Sequence, residues 1–152
     1  METLKFERPT MYPPAAEGDM WELAKDWLIS YKGEDYLLPA GFMTDGASIP
    51  RFLWRLCGTP LQTPRLYAAL VHDFIYGGGD PDATRKDADT IFRDLQIALI
   101  DMEPTPADAA WYKRLAFNAK KATRKRASAA EYYALRLCGK SHWCGNPELA
   151  DK

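Results

Sequence analysis

Only two histidines occur in the 152 residues, and one of them, His72, is followed directly by Asp73. A ring that titrates near neutral pH, beside a carboxylate able to orient it or hold a metal, is what general-base or metal-assisted hydrolysis requires. Tyr76 lies one helical turn beyond. A second constellation, Thr44-Asp45-Gly46-Ala47-Ser48-Ile49-Pro50-Arg51, gathers small residues that let the backbone turn sharply. Its amides, carbonyls, hydroxyls and carboxylate can ligate a hard cation or cradle an anion. The third is Arg85-Lys86-Asp87-Ala88-Asp89, at the head of an apolar-striped segment. Together these give a catalytic set of His72, Asp73 and Asp89, with Thr44, Asp45, Ser48, Arg51, Tyr76 and Arg85 on the substrate or loop side. Asp45 and Asp73 are the expected ligands of a divalent cation, the one cofactor the pattern suggests.

Each group also has a plainer reading. His72 can be a partly buried, hydrogen-bonded histidine, with Asp73 tying down the glycines that follow or pairing with an arginine. Asp45 and Ser48 are turn-formers that bond their own backbone. Asp89, four residues after Arg85, can form an exposed helical ion pair worth a few tenths of a kcal/mol. Other motifs carry less. Ser48 lacks the Gly-x-Ser-x-Gly setting of a nucleophile elbow, and Gly77-Gly78-Gly79 lacks the Lys-Ser/Thr ending of a phosphate loop. Cys138-x3-His142-x-Cys144 matches no familiar zinc spacing.

The elements that must position these groups are legible from period and punctuation. Pro9, Pro13, Pro14 and Gly18 make residues 1–19 an extended lead-in. Trp21, Leu23, Trp27, Ile29 and Tyr31 alternate as in a strand, interrupted by Lys25, and a turn at Lys32-Gly33-Glu34 leads to a second strand ending at Pro39. Thr63-Pro64 opens a helix that Gly77-Gly78-Gly79 stops. Thr84 and Asp87 form a capping-box start for a second, with Ala88, Ile91, Phe92, Leu95, Ala98 and Leu99 on its core face. Thr105-Pro106 is expected to open a third, and Ser128-x-x-Glu131 a fourth that Gly139 closes. The first two helices run antiparallel across the short glycine loop, so Asp45, His72, Asp73 and Asp89 are expected in one cluster. The fold class is α+β: an N-terminal β-hairpin or small antiparallel sheet, then three to four packed helices. Residues 20–140 form the single globular domain and 141–152 a C-terminal tail.

Size and composition agree with one ordinary domain, at 47% hydrophobic and 27% charged residues. The start has no signal-peptide pattern and no stretch is apolar enough to span a membrane, so a cytoplasmic location at synthesis is expected. Three cysteines, an odd number, favour reduced thiols. The net charge of -1 argues against a globally basic nucleic-acid binder. Locally, however, Lys113 to Arg126 holds seven basic residues and no acid. Such a run is a solvated helix face or a contact for nucleic acid or an anionic partner protein.

Gly41-Phe42-x-Thr44-Asp45-Gly46-Ala47-Ser48-Ile49-Pro50-Arg51, then Trp54, His72-Asp73-x-x-Tyr76 and Arg85-x-x-Ala88-Asp89-x-x-Phe92 resemble a small phage and bacterial family known as domain of unknown function 1353. The likeness covers roughly residues 20 to 140. It implies a phage or prophage source and marks Asp45, His72, Asp73, Arg85 and Asp89 as signature polar positions without assigning them roles. His72-Asp73-x-x-Tyr76 is also similar to the catalytic helix of secreted phospholipases A2, where the histidine is the base and the aspartate holds calcium. Their cysteine framework and calcium loop are missing here. The expected function is a phage accessory protein with a hydrolase-like site, in which His72 activates water and an aspartate binds the cation. The alternative is a non-enzymatic virion or tail-assembly component, or an inhibitor, that binds other phage structural proteins or a host protein.

Overall fold

The computed structural model describes residues 4–13, 20–44 and 63–150. Six short strands come first: β1 (Lys5–Phe6), β2 (Met11–Tyr12), β3 (Trp21–Leu23), β4 (Trp27–Tyr31), β5 (Glu34–Leu38) and β6 (Met43–Thr44). Helices α1 (Thr63–Tyr76), α2 (Arg85–Met102) and α3 (Trp111–Cys138) follow, with 3-10 turns at Gly139–His142 and Pro147–Leu149. The class is α+β, strands before helices, as the punctuation predicts.

Two antiparallel three-stranded sheets replace the single hairpin, in the orders β1-β4-β5 and β2-β3-β6. The hairpin itself is present, pairing Trp27 with Leu38 through Tyr31 with Glu34. Its loop is shorter than the sequence suggested, because Lys32 (φ 55°) and Gly33 (φ 85°) make the turn alone and Glu34 already belongs to β5. Two successive positive φ values match the right-handed twist of the flanking strands, and glycine takes the second without steric cost. The long alternating run breaks at Ala24 to Asp26, where Asp26 accepts a hydrogen bond from the Ala40 amide at 2.8 Å. Trp21 and Leu23 therefore lie in one sheet and Trp27, Ile29 and Tyr31 in the other. Segments of the proline-rich lead-in supply the outer strands β1 and β2.

The core forms where the inward faces of β4 and β5 (Trp27, Ile29, Tyr31, Tyr36, Leu38) meet Leu70, Val71 and Ile75 of α1 and Phe92 and Leu95 of α2. α2 is capped as expected: Thr84 Oγ1 accepts from the Asp87 amide at 3.0 Å, and Asp87 Oδ2 accepts from the Thr84 amide at 2.9 Å. The C-terminal helices differ from the sequence reading. Instead of two helices opened by Thr105-Pro106 and Ser128, a single 28-residue helix starts at Trp111, with Ala110 in the N-cap position. Ser128 sits inside it, donating to Gln96 Oε1 and the Arg124 carbonyl at 3.2 Å each. Glu131 is buried and paired with Arg65 of α1, and it accepts from Gln96 Nε2 at 3.0 Å. The residue types of a capping box therefore serve here as a buried polar network.

α3 buries only Ser128 and Glu131 completely. Its attachment to α1 and α2 thus depends heavily on hydrogen bonds and charge. Removing one partner of a buried ion pair strands the other, at about 3 to 5 kcal/mol. Urea unfolding of Glu131→Ala is expected to show a loss of that order, and Ser128→Ala about 1 kcal/mol.

Candidate functional site

α1 ends by delivering His72, Asp73 and Tyr76 to its last turn, and α2 begins by delivering Arg85 and Asp89 to its first. The connection between them is short because Gly78 adopts φ 86° and the turn bonds back, Gly77 N to Asp73 O at 2.9 Å and Gly79 N to Phe74 O at 2.9 Å. The antiparallel crossing that results brings both helix ends together.

Asp89 lies at the centre, with 0% exposure. Its Oδ1 accepts from the Tyr76 hydroxyl at 2.7 Å and faces His72 Nε2 at 3.2 Å. Its Oδ2 accepts from Arg136 Nη1 of α3 at 3.2 Å, with Arg85 Nη1 at 3.8 Å. The other ring nitrogen of His72, Nδ1, faces Asp73 Oδ1 at 3.2 Å. Asp73 closes the chain outward: its Oδ2 accepts from Thr44 Oγ1 at 2.5 Å, at the end of β6. The order is Asp89, His72, Asp73, Thr44, leading from the interior toward the start of the Asp45–Pro50 signature.

Arg85 and Asp89 do not form the exposed ion pair that the sequence allows, since both are buried. Arg85 spends most of its donors on backbone: Nε on the Ala150 carbonyl at 2.9 Å, Nη1 on Leu135 O at 3.2 Å and Nη2 on Arg136 O at 3.3 Å. These carbonyls come from the end of α3, a favourable place for a cation. Three aromatic rings enclose the pair. Tyr76 lies 4.1 Å and Phe92 5.2 Å from the His72 ring, centroid to centroid, and Trp143 packs edge-on to Tyr76 at 5.2 Å. Gly139 is required beneath Tyr76, because a Cβ there would come within 2.8 Å of its hydroxyl.

Opposing influences act on the histidine. Burial disfavours the imidazolium, but hydrogen bonds to Asp73 and Asp89 and their two charges act together against it, and the His72 pKa lies above its ordinary value. Burial, then the bond to Asp89, also raises the Tyr76 hydroxyl. Both ring nitrogens of His72 thus face carboxylate oxygens, an arrangement that favours the imidazolium.

The expected meeting of His72, Asp73 and Asp89 is observed, and Thr44, Tyr76 and Arg85 join it. Asp45, Ser48 and Arg51 lie outside the described residues, as does Cys57. With Asp45 outside, the proposed cation pair of Asp45 and Asp73 has one described member, both of whose oxygens already face protein partners. Among the described residues no group of three or more His, Cys, Asp or Glu side chains is arranged to hold a metal. Cys138 and Cys144 are exposed free thiols. The sequence reading did not find Arg136, the Ala150 carbonyl, Gly139 or Trp143. A buried aspartate demands a cation, but the C-terminal third holds several arginines at no diagnostic spacing. Backbone carbonyls leave no sequence signal at all.

Because the folded pKa of His72 is raised, its stabilisation is complete below the unfolded value of 6.5 and is lost as pH rises through the folded value. The excess melting temperature of the parent over His72→Gln is therefore expected to shrink as pH rises from about 6.5 upward. A gap that widens over that range would show a neutral ring. Gly139→Ala should destabilise by about 1 to 3 kcal/mol in urea titrations, by pushing Tyr76 off Asp89.

Comparison with known proteins bears on this arrangement only at the level of family. No curated protein matches the chain, and no solved structure does. The family model described as "Protein of unknown function (DUF1353)" matches residues 21–113, which hold every candidate residue and most of the elements that position them. With more than half of its length matched by that model, the chain belongs to the DUF1353 family.

Proposed function

We propose that this chain is an accessory protein of a phage or prophage that acts by binding, and that its signature network fastens the fold rather than performing catalysis. The observation that carries this reading is the setting of His72: both ring nitrogens face carboxylates at 3.2 Å, the residue is 6% exposed, and those carboxylates raise its pKa. A ring whose two nitrogens are both taken up by carboxylates is a poor general base, since a base must begin with a free lone pair within reach of the proton it takes. Asp89 points inward to two arginines and a tyrosine, so its charge organises the helices. The phage setting rests on the signature motifs. In that setting the partner is another phage structural protein or a host protein, met in the host cytoplasm or on the virion. No helix among the described residues is long and apolar enough to cross a membrane.

One observation favours a second reading. The Asp73 side chain retains 27% exposure at the outer end of the network, beside Thr44 and the entry to the Asp45–Pro50 stretch. If Asp73 turns outward, His72 Nδ1 is released and Asp89 remains behind Nε2, giving a hydrolase-like pair of an orienting carboxylate and a base. A divalent cation held by Asp45 and Asp73 belongs to this second reading.

Calorimetric titration of the metal-stripped protein with calcium, magnesium, manganese and zinc separates the two, together with screening of ester, amide and phosphodiester hydrolysis. The binding-protein reading expects no turnover, and a loss of about 1 to 3 kcal/mol of stability in His72→Ala because Asp89 and Asp73 lose a partner. Metal binding and hydrolysis that both vanish in Asp73→Asn would overturn it in favour of the hydrolase.

A further inference from the structure

Tyr76 and Arg85, two of the residues that surround Asp89, are themselves covered by the segment that follows α3. Trp143 packs edge-on against the Tyr76 ring at 5.2 Å, and the Cys144 amide donates to the Tyr76 carbonyl at 2.9 Å. Six residues further on, the Ala150 carbonyl accepts from Arg85 Nε at 2.9 Å. Both covered residues lie within the stretch that the family model matches, residues 21–113, and the segment over them lies outside it. Site and cover therefore belong to different parts of the chain.

Within itself this segment is well bonded. Trp143 Nε1 donates to the Asn146 carbonyl and the Glu148 amide to Asn146 Oδ1, each at 3.0 Å. The Leu149 amide donates to the Asn146 carbonyl at 3.0 Å and the Ala150 amide to that of Pro147 at 3.3 Å. Gly145 lets the indole fold back over the chain, since a Cβ there would come within 2.5 Å of the ring. These polar groups are satisfied whether or not the segment touches the helices. Its hold on the body is small by comparison. Among the described residues, the hydrogen bonds that tie residues 143–150 to α1 and α2 are the two at Cys144 and Ala150. Ala150 is also the one buried residue of the segment. Regions with few buried contacts open at lower free energy than the core they rest on.

We propose that residues 143–150 form a strap that lifts as a unit while α1, α2 and α3 stay packed, and that this motion gates access to Tyr76 and Arg85. The bonds that remain keep the body together. With the strap lifted, Arg85 keeps the Leu135 and Arg136 carbonyls, Tyr76 keeps Asp89, and Asp89 keeps Arg136. What changes is that Arg85 Nε and the part of the Tyr76 ring that Trp143 covers meet solvent. An acceptor oxygen arriving from outside, a carbonyl or a carboxylate, then takes the place of Ala150 on a guanidinium that is otherwise enclosed. The strap concerns access alone and goes beyond the choice between a binding and a hydrolytic network.

The test is amide hydrogen exchange of the full chain, followed residue by residue by NMR over a series of low urea concentrations. The Cys144, Leu149 and Ala150 amides are expected to exchange through one shared opening, with protection at least about a hundredfold lower than that of Leu95 in α2. That opening should depend little on urea, because it exposes little surface. Trp143→Ala, and Gly145→Ala by pushing the indole aside, are each expected to speed the three amides by about tenfold and leave Leu95 unchanged. Labelling with phenylglyoxal, read by mass spectrometry of the digested protein, reports access. Arg85 should react about tenfold faster in both variants than in the parent, while Arg65, buried against Glu131, keeps its rate. Exchange of Cys144 only together with Leu95, or faster exchange of Leu95 in both variants, would make the strap part of the body and overturn the proposal. Free exchange of Leu149 and Ala150 with Cys144 still protected would show a fraying end and overturn it too. An unchanged Arg85 rate in variants whose strap amides exchange faster would show that the strap gates nothing.

Discussion

A carboxylate with no exposure to water must be compensated on every side, and Asp89 makes that demand at the junction of the three helices. Isolated in a low-dielectric interior it would cost several kcal/mol; surrounded by donors it becomes a fixed point to which other elements are tied. His72 and Tyr76 come to it from α1, Arg136 from α3, and Arg85 from its own helix at one turn's distance. The requirement extends past the first partners. Arg85, buried in turn, takes the carbonyls at the end of α3 and that of Ala150, and His72 passes its second contact to Asp73 and so to Thr44. One charge thus ties together the glycine turn, the end of α3, the stretch up to Ala150 and β6.

A second buried acid repeats the device along α3. Glu131 joins Arg65 of α1 and Gln96 of α2, with Ser128 on the same glutamine. The two networks share a division of labour with the apolar core. Sheets, α1 and α2 are held together by Leu, Ile, Val and aromatic contacts, which tolerate small rotations. α3 is placed by directional bonds at Ser128 and Glu131, at Arg136, and where Arg124 and Lys125 pair with Glu103 and Asp101, and such separate points leave a rigid helix little freedom to roll or slide. That placement decides which face of α3 is turned to solvent.

Much of this was legible before any coordinates. Local signals succeeded: Thr84 with Asp87 for the start of α2, Gly77-Gly78-Gly79 for the end of α1, and the hairpin around Lys32-Gly33. The meeting of His72, Asp73 and Asp89 followed from the brevity of that glycine connection. What failed was information held by tertiary partners. Ser128 and Glu131 have the types and spacing of a helix start, and only the presence of Gln96 and Arg65 shows that they lie mid-helix. Lys25 could be seen to interrupt a strand but not to divide two sheets. Arg85 and Asp89 carry the spacing of a surface ion pair, and burial, which spacing does not encode, changes their role.

The bond from Arg85 to the Ala150 carbonyl spans 65 positions of sequence. While the chain is being made, α1 and α2 can pair soon after residue 102 has left the ribosome, and the helical hairpin with its strands has the apolar contacts to collapse. Its buried guanidinium nevertheless lacks acceptors until the end of α3 and the stretch beyond it arrive. Burial of Arg85 with its full set of acceptors therefore has to follow synthesis of residue 150. Arg85 thus couples the helical hairpin to a segment made well after it.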